Sequence, residues 1–125
     1  MNLRGAIEDR FPRVELSLAG RNGRSIPILY IVDTAFDGEF ALPASLVARI
    51  YSYSPSVRQI MLANGEERDA TYVMALLPDR DEEQRVVEVL VLENHGNPLL
   101  GIDMLAEHLL TIEMATGGEV TIEPL

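Results

Sequence analysis

Three consecutive residues, Asp33, Thr34 and Ala35, have the types and spacing that could do chemistry. They follow an almost wholly apolar run over residues 26–32, which stops abruptly at the carboxylate. A lone aspartate at a strand end ordinarily caps a turn or a helix. Here a hydroxyl residue and a small residue follow it, and such short side chains let other backbone segments approach closely. A carboxylate held in this way accepts hydrogen bonds from neighbouring N–H groups, and Thr34 adds a further donor and acceptor. That is equipment for general acid–base work.

The other chemical candidates are weaker. Asp37 and Glu39 could be imagined around a hard cation, which prefers carboxylate oxygens. A turn at Asp37 and Gly38 with a solvated Glu39 is the simpler reading, so no metal and no cofactor are expected. His95 and His108 are far apart and lack a serine–histidine–carboxylate constellation. Ser45, Ser52, Ser54 and Ser56 sit in no nucleophile-elbow pattern. Asp103 reads as a helix cap, and the acidic run over 79–83 as a solvated link. Tyr51 and Tyr53 suit either a half-wet interface or a plain surface. The chain has no cysteine, which removes disulfides, thiolate metal sites and thiol nucleophiles together.

The elements around Asp33 favour strands. Residues 14–18 alternate apolar and polar, between Pro12 and Gly20. Asn22 and Gly23 signal a hairpin. Residues 26–32 read as a strand buried on both sides, with Pro27 at an edge or entry position. Residues 40–42 resume a strand, and 43–50 read as a short helix with Leu46, Val47 and Ile50 inward. Residues 51–55 read as connecting chain. Two mixed strands, 57–62 and 71–77, flank Ala63, Asn64 and Gly65 as a long hairpin. Residues 85–92 form a strand with Val87, Val89 and Val91 on one face. After a turn over 94–98, residues 99–105 enter a second short helix that ends near His108. Strands over 110–114 and 119–123 close the chain around Gly117 and Gly118. This pattern predicts an all-β fold: a small closed, mainly antiparallel barrel with one or two short helices.

The bulk numbers fit one domain over residues 1–125. The formal charge is −10 and every basic side chain is arginine. An acidic surface repels phosphate backbones, so nucleic acid is not an expected partner. The first residues have no basic patch followed by a long apolar run, and no stretch is long and apolar enough to cross a membrane. No membrane partner is therefore expected, and a cytoplasmic location is the default.

The run from Val32 to Pro43, Val-Asp-Thr-Ala-Phe-Asp-Gly-Glu-Phe-Ala-Leu-Pro, resembles the active-site segment of retropepsin-like aspartic proteases, the small prokaryotic members above all. Leu99–Leu100–Gly101–Ile102–Asp103–Met104–Leu105 resembles the apolar-apolar-Gly element that packs across the catalytic loop in that family. The hairpin tip at Ala63, Asn64 and Gly65 looks like its mobile flap. The resemblance implies a barrel of the acid-protease type and an aspartic endopeptidase. Asp33 would be its catalytic residue, with Thr34, Ala35 and Gly101 as active-site support. Ile31, Phe36 and Met61 are candidates for the substrate pocket. One departure stands out: Ala35 falls where the family mostly has glycine, adding a methyl and disfavouring positive φ.

This chemistry needs two carboxylates, and the chain has one triplet of the right kind. A homodimer with Asp33 from each subunit supplies the second, and peptides or proteins would be the substrate. The resemblance also implies that the terminal segments, residues 119–125 above all, pair between chains. Ala35 motivates the alternative, a non-catalytic peptide-binding or assembly module that keeps the protease fold.

Overall fold

The computed structural model describes residues 1–78, 84–93 and 95–125. The acidic link expected over 79–83 lies outside them, as does Asn94. In chain order the elements are β1 (Leu3–Glu8), β2 (Phe11–Ala19), β3 (Ser25–Val32), β4 (Phe40–Pro43), α1 (Ala44–Val47), β5 (Ser52–Met61), β6 (Glu67–Pro78), β7 (Gln84–Leu92), β8 (Leu99–Leu100), α2 (Ile102–Leu105), β9 (His108–Ile112) and β10 (Glu119–Pro124).

The ten strands among the described residues join one sheet in the order β5-β6-β7-β4-β8-β3-β2-β1-β10-β9. Most pairs are antiparallel, but β3–β8 and β4–β7 run parallel. The closed barrel expected from the strand pattern is therefore wrong: the sheet is open and mixed. It curls until β2 packs against β6. The seam is a single bridge, Gly20 to Ile50, beside hydrogen bonds from Tyr51 N–H to the Ala19 carbonyl (2.8 Å) and from Arg21 N–H to the Arg49 carbonyl (3.2 Å). Past Ile50 the chain leaves β2 and pairs with β6 instead, so the two edge strands never meet.

One apolar cluster fills the curl. Ile28, Tyr30 and Val32 of β3 enter it alongside Val14, Leu18, Phe40, Leu42, Val87, Val89, Leu100, Met104, Val120 and Ile122. The period of two explains which side chains go in. Leu29, between Ile28 and Tyr30, is 45% exposed, so β3 is not buried on both faces along its whole length. Pro27 pairs with Ser17 on β2, whereas β8 meets β3 only at Ile31 and Val32. Its missing N–H thus falls where β3 has one neighbour.

Other boundaries shift. The first helix is only Ala44–Val47, and Ile50 reaches the core beyond its end. Residues 52–55 belong to β5 rather than to connecting chain. β1 has no counterpart in the strand pattern expected from the sequence. It joins β2 through Asp9 and Arg10, both at positive φ, the two-residue turn that hairpins favour. β10 lies between β1 and β9, so both of its edges are filled within the chain. β10 therefore offers no open edge for the strand pairing between chains expected of residues 119–125.

The two Asn-Gly signals build the same loop twice. Gly20 N–H bonds the Arg24 carbonyl (2.8 Å), Gly23 N–H bonds the Gly20 carbonyl (3.2 Å), and Arg24 N–H bonds Asn22 Oδ1 (3.0 Å). At the hairpin tip Leu62 N–H bonds the Glu66 carbonyl (2.8 Å), Gly65 N–H bonds the Leu62 carbonyl (2.9 Å), and Glu66 N–H bonds Asn64 Oδ1 (3.0 Å). Gly23 and Gly65 occupy the left-handed region at φ 79° and 85°. Asparagine folds its own backbone in such a turn, and glycine supplies the positive φ.

Candidate active site

Asp33 follows the last residue of β3. Its N–H bonds the carbonyl of Leu100 at 2.9 Å, continuing the parallel pairing of β3 with β8. Its own carbonyl accepts the N–H of Phe36 (3.2 Å), which closes a turn over Thr34 and Ala35. Oδ1 of Asp33 accepts the N–H of Ala35 at 3.0 Å. This local side-chain-to-backbone bond is typical of aspartate in turns and orients the carboxylate. Among the described residues it is the one hydrogen bond to that carboxylate. Asp33 is half-buried, while Thr34 and Ala35 are exposed.

The segment after Pro98 is zipped into this loop from both sides. Ile31 N–H bonds the Pro98 carbonyl (2.8 Å), Gly101 N–H that of Glu39 (2.8 Å), Ile102 N–H that of Phe36 (2.9 Å) and Asp103 N–H that of Gly38 (3.2 Å). β8 is thereby held between β3 and β4. Gly101 is the residue that permits it: a Cβ there would fall onto the Gly38 carbonyl oxygen and the Phe36 ring. The expected contact between the Leu99–Gly101 element and the Asp33 loop is therefore present, and its cause is backbone on backbone.

The remaining candidates are scattered. Ala35 is not among the non-glycine residues with positive φ, so its methyl imposes no backbone strain. Phe36 is half-buried and covers Gly38 and Gly101. Ile31 is buried but stands outside the core cluster that takes Tyr30 and Val32. Met61 is 70% exposed on β5, next to the exposed tip residues Ala63, Asn64 and Gly65. A pocket of about 320 Å³ lies between the hairpin and the end of β7, lined by Ile60, Leu62, Arg68, Thr71, Leu92 and His95 among others. Neither Asp33 nor Ile31, Phe36 or Met61 lines it.

Two expectations nearby need correction. Asp103 does not cap α2; Gly101 occupies the cap position without a side-chain bond, and Asp103 sits exposed in the first turn. Glu39 is not a free solvated carboxylate. Its Oε1 accepts the N–H of Glu88 (3.0 Å), and its Oε2 lies 3.3 Å from Arg85. Glu88 in turn holds Arg58 through both carboxylate oxygens, and the guanidinium lies 4.3 Å from the centre of the Tyr72 ring. The ion pair raises the Arg58 pKa above its ordinary value. These contacts tie the hairpin to β7 and β7 to the Asp33 loop. They depend on a strand register that single residues do not announce. Among the described residues, no group of three or more His, Cys, Asp or Glu is placed to hold a metal ion, and no helix is long and apolar enough to cross a membrane.

No protein-family model matches this chain, and no curated protein matches it. Among solved structures it is similar to a retropepsin-like aspartic protease from Rickettsia conorii, with a TM-score of 0.53 at 13% identity, over 97% of this chain and 90% of that one. The chain thus has the retropepsin-like fold.

Proposed function

We propose that residues 1–125 form one subunit of a homodimeric aspartic endopeptidase, with Asp33 of each subunit meeting its mate across a two-fold axis. The observation that carries this reading is the setting of Asp33. In a retropepsin-like fold, a half-buried carboxylate at the end of β3 is oriented by its own turn and locked against the Gly101 segment.

The mechanism follows from two carboxylates at short range. They do not both ionise readily, so the pair shares one proton, and its apparent pKa values belong to the pair. The ionised member takes a proton from a water held between them. The protonated member polarises the scissile carbonyl and later returns a proton to the leaving nitrogen. In such a dimer Thr34 and Ala35, exposed beside Asp33, would lie against the second subunit. The substrate would be an extended peptide that pairs its main chain with the floor and with the hairpin tip at Ala63, Asn64 and Gly65. Ile31, Phe36 and Met61 remain candidates for pocket walls.

The test is Asp33→Asn, assayed for cleavage of a peptide library between about pH 4 and 7, where a shared-proton pair operates. Loss of cleavage in a folded dimer supports the reading. Unchanged cleavage removes Asp33 from the mechanism. The alternative, a peptide-binding module without turnover, rests on Ala35. It predicts intact folding with no tight binding of a tetrahedral transition-state mimic.

A further inference from the structure

Charge is unevenly spread along this acidic chain. Residues 16–32 and 40–65 hold none of its 20 aspartates and glutamates. They do hold Arg21, Arg24, Arg49 and Arg58. Arg58 is committed to Glu88. The other three are exposed, and none forms an ion pair with a described residue.

The fold brings these three together from two distant segments. The bridge between Gly20 and Ile50 sets Arg21 across from Arg49, and Arg21 N–H bonds the Arg49 carbonyl (3.2 Å). Gly20 N–H bonds the Arg24 carbonyl (2.8 Å), which folds Arg24 back onto the same bridge. Tyr51, two residues beyond Arg49 and 46% exposed, adds a hydroxyl donor. Like charges directly opposite are destabilising, and neither segment supplies an acid to relieve Arg21 and Arg49. An anion bound here relieves that repulsion.

We infer that this end of the molecule docks an acidic segment of a protein partner, a short run of aspartate or glutamate side chains. The planar fork of arginine matches a carboxylate through two parallel hydrogen bonds. Elsewhere the charge of −10 turns an acidic partner away, so this end is its approach. A nucleic acid fits less well. Its charges continue along the whole strand, so it would run off three arginines onto acidic surface. A short acidic run ends where the patch ends.

The patch is also separate from the carboxylate site. β3 starts near the bridge at Ser25 and ends at Val32. At the usual rise of a strand, that puts the patch about 25 Å from Asp33. A partner held there leaves Asp33 open, and the inference does not rest on the peptidase reading.

The test is fluorescence anisotropy of a short labelled oligoglutamate, beside oligoglutamine and a single-stranded oligonucleotide of matched length. The natural chain should bind oligoglutamate the most tightly of the three. That binding should weaken about tenfold between about 50 and 200 mM salt. The combined variant Arg21→Gln, Arg24→Gln, Arg49→Gln should bind about tenfold or more weakly. It should unfold at or above the temperature of the natural chain, since Arg21 and Arg49 no longer repel. Arg4→Gln with Arg10→Gln, on β1 and its turn, should bind like the natural chain. If the combined variant does not fold, Arg24→Gln alone, in an exposed turn, should still weaken binding about threefold.

Oligoglutamate that fails to bind, or that binds the arginine variants as well as the natural chain, overturns the inference. Tighter binding of the oligonucleotide assigns the patch to nucleic acid and overturns it too. So does binding that appears only with Asp79→Asn, Asp81→Asn, Glu82→Gln and Glu83→Gln, because the chain's own acidic run then stands in the place of a partner.

Discussion

Gly101 lies so close to Gly38 that a methyl group on it would overlap the Gly38 carbonyl oxygen. Asp33 is held by the residue before it, through the Leu100 carbonyl, so the approach of two backbones positions the carboxylate. Gly101→Ala must push β8 away from β4. We expect a loss of about 2–3 kcal/mol or more in unfolding free energy, at the upper end for overpacking, because backbone rather than a flexible side chain must yield. Urea denaturation would measure it.

Ala35 has an ordinary backbone conformation and stands exposed. Ala35→Gly, which restores the residue most common in the family resembled, should therefore relieve no strain in the subunit. It should lower stability by about 0.5–1 kcal/mol through greater freedom of the unfolded chain. Peptide cleavage should stay within about threefold of the natural chain, since catalytic losses from removing an acid–base group are far larger. Thermal unfolding alongside a cleavage assay checks both.

Tyr30 is fully buried, with its ring 5.1 Å from that of Phe40, and its hydroxyl has no hydrogen-bond partner among the described residues. Tyr30→Phe removes an unpaired polar atom and should be neutral or stabilising by about 1–2 kcal/mol. The pH dependence has a definite sign. Burial pushes the Tyr30 pKa well above its ordinary value, because the charged form is desolvated. The folded chain keeps the phenol neutral, while the unfolded chain releases the proton above about pH 10. Stability from this group is complete below that pH and falls as the pH rises past it. Denaturation at about pH 7 and pH 11 should show the advantage of Tyr30→Phe widening at the higher value.

Glu39 accepts the backbone N–H of Glu88 within the half-buried junction of β4 and β7. Glu39→Ala leaves that donor unpaired and should cost about 1–2 kcal/mol. Glu39→Gln keeps an acceptor and should recover most of it. Chemical denaturation of the two variants distinguishes a hydrogen-bonding role from a charge role.

Much of the site's neighbourhood could be read from local sequence, because local rules decide it. Val32-Asp33-Thr34-Ala35 and Leu99-Leu100-Gly101 are short, and the glycine declares that backbones must meet there. Asn64 and Gly65 declare a turn wherever they stand. Closure of the sheet could not be read in this way. Whether β5 returns to the opposite edge depends on where the chain goes after Ile50, and the residues before Val57 alternate too weakly to reveal a strand. β1 stayed hidden for a related reason. Leu3 and Ile7 are its only large apolar residues, Gly5 interrupts it, and its turn uses Asp9 and Arg10 instead of an Asn-Gly pair. The ties from Glu39 to Glu88 and from Glu88 to Arg58 depend on pairing across distant strands, which one-dimensional patterns do not specify.

The claim on which the rest depends is that one working site takes an Asp33 from each of two chains. Mixing natural chain with an inactive, folded Asp33→Asn chain under subunit exchange tests it directly. At equal amounts, random pairing leaves roughly a quarter of the dimers with two aspartates, so activity per total protein should fall to about a quarter of that of the undiluted natural chain. A fall to only about half, tracking the fraction of natural chain linearly, would mean that each chain carries a complete site, and would contradict the account.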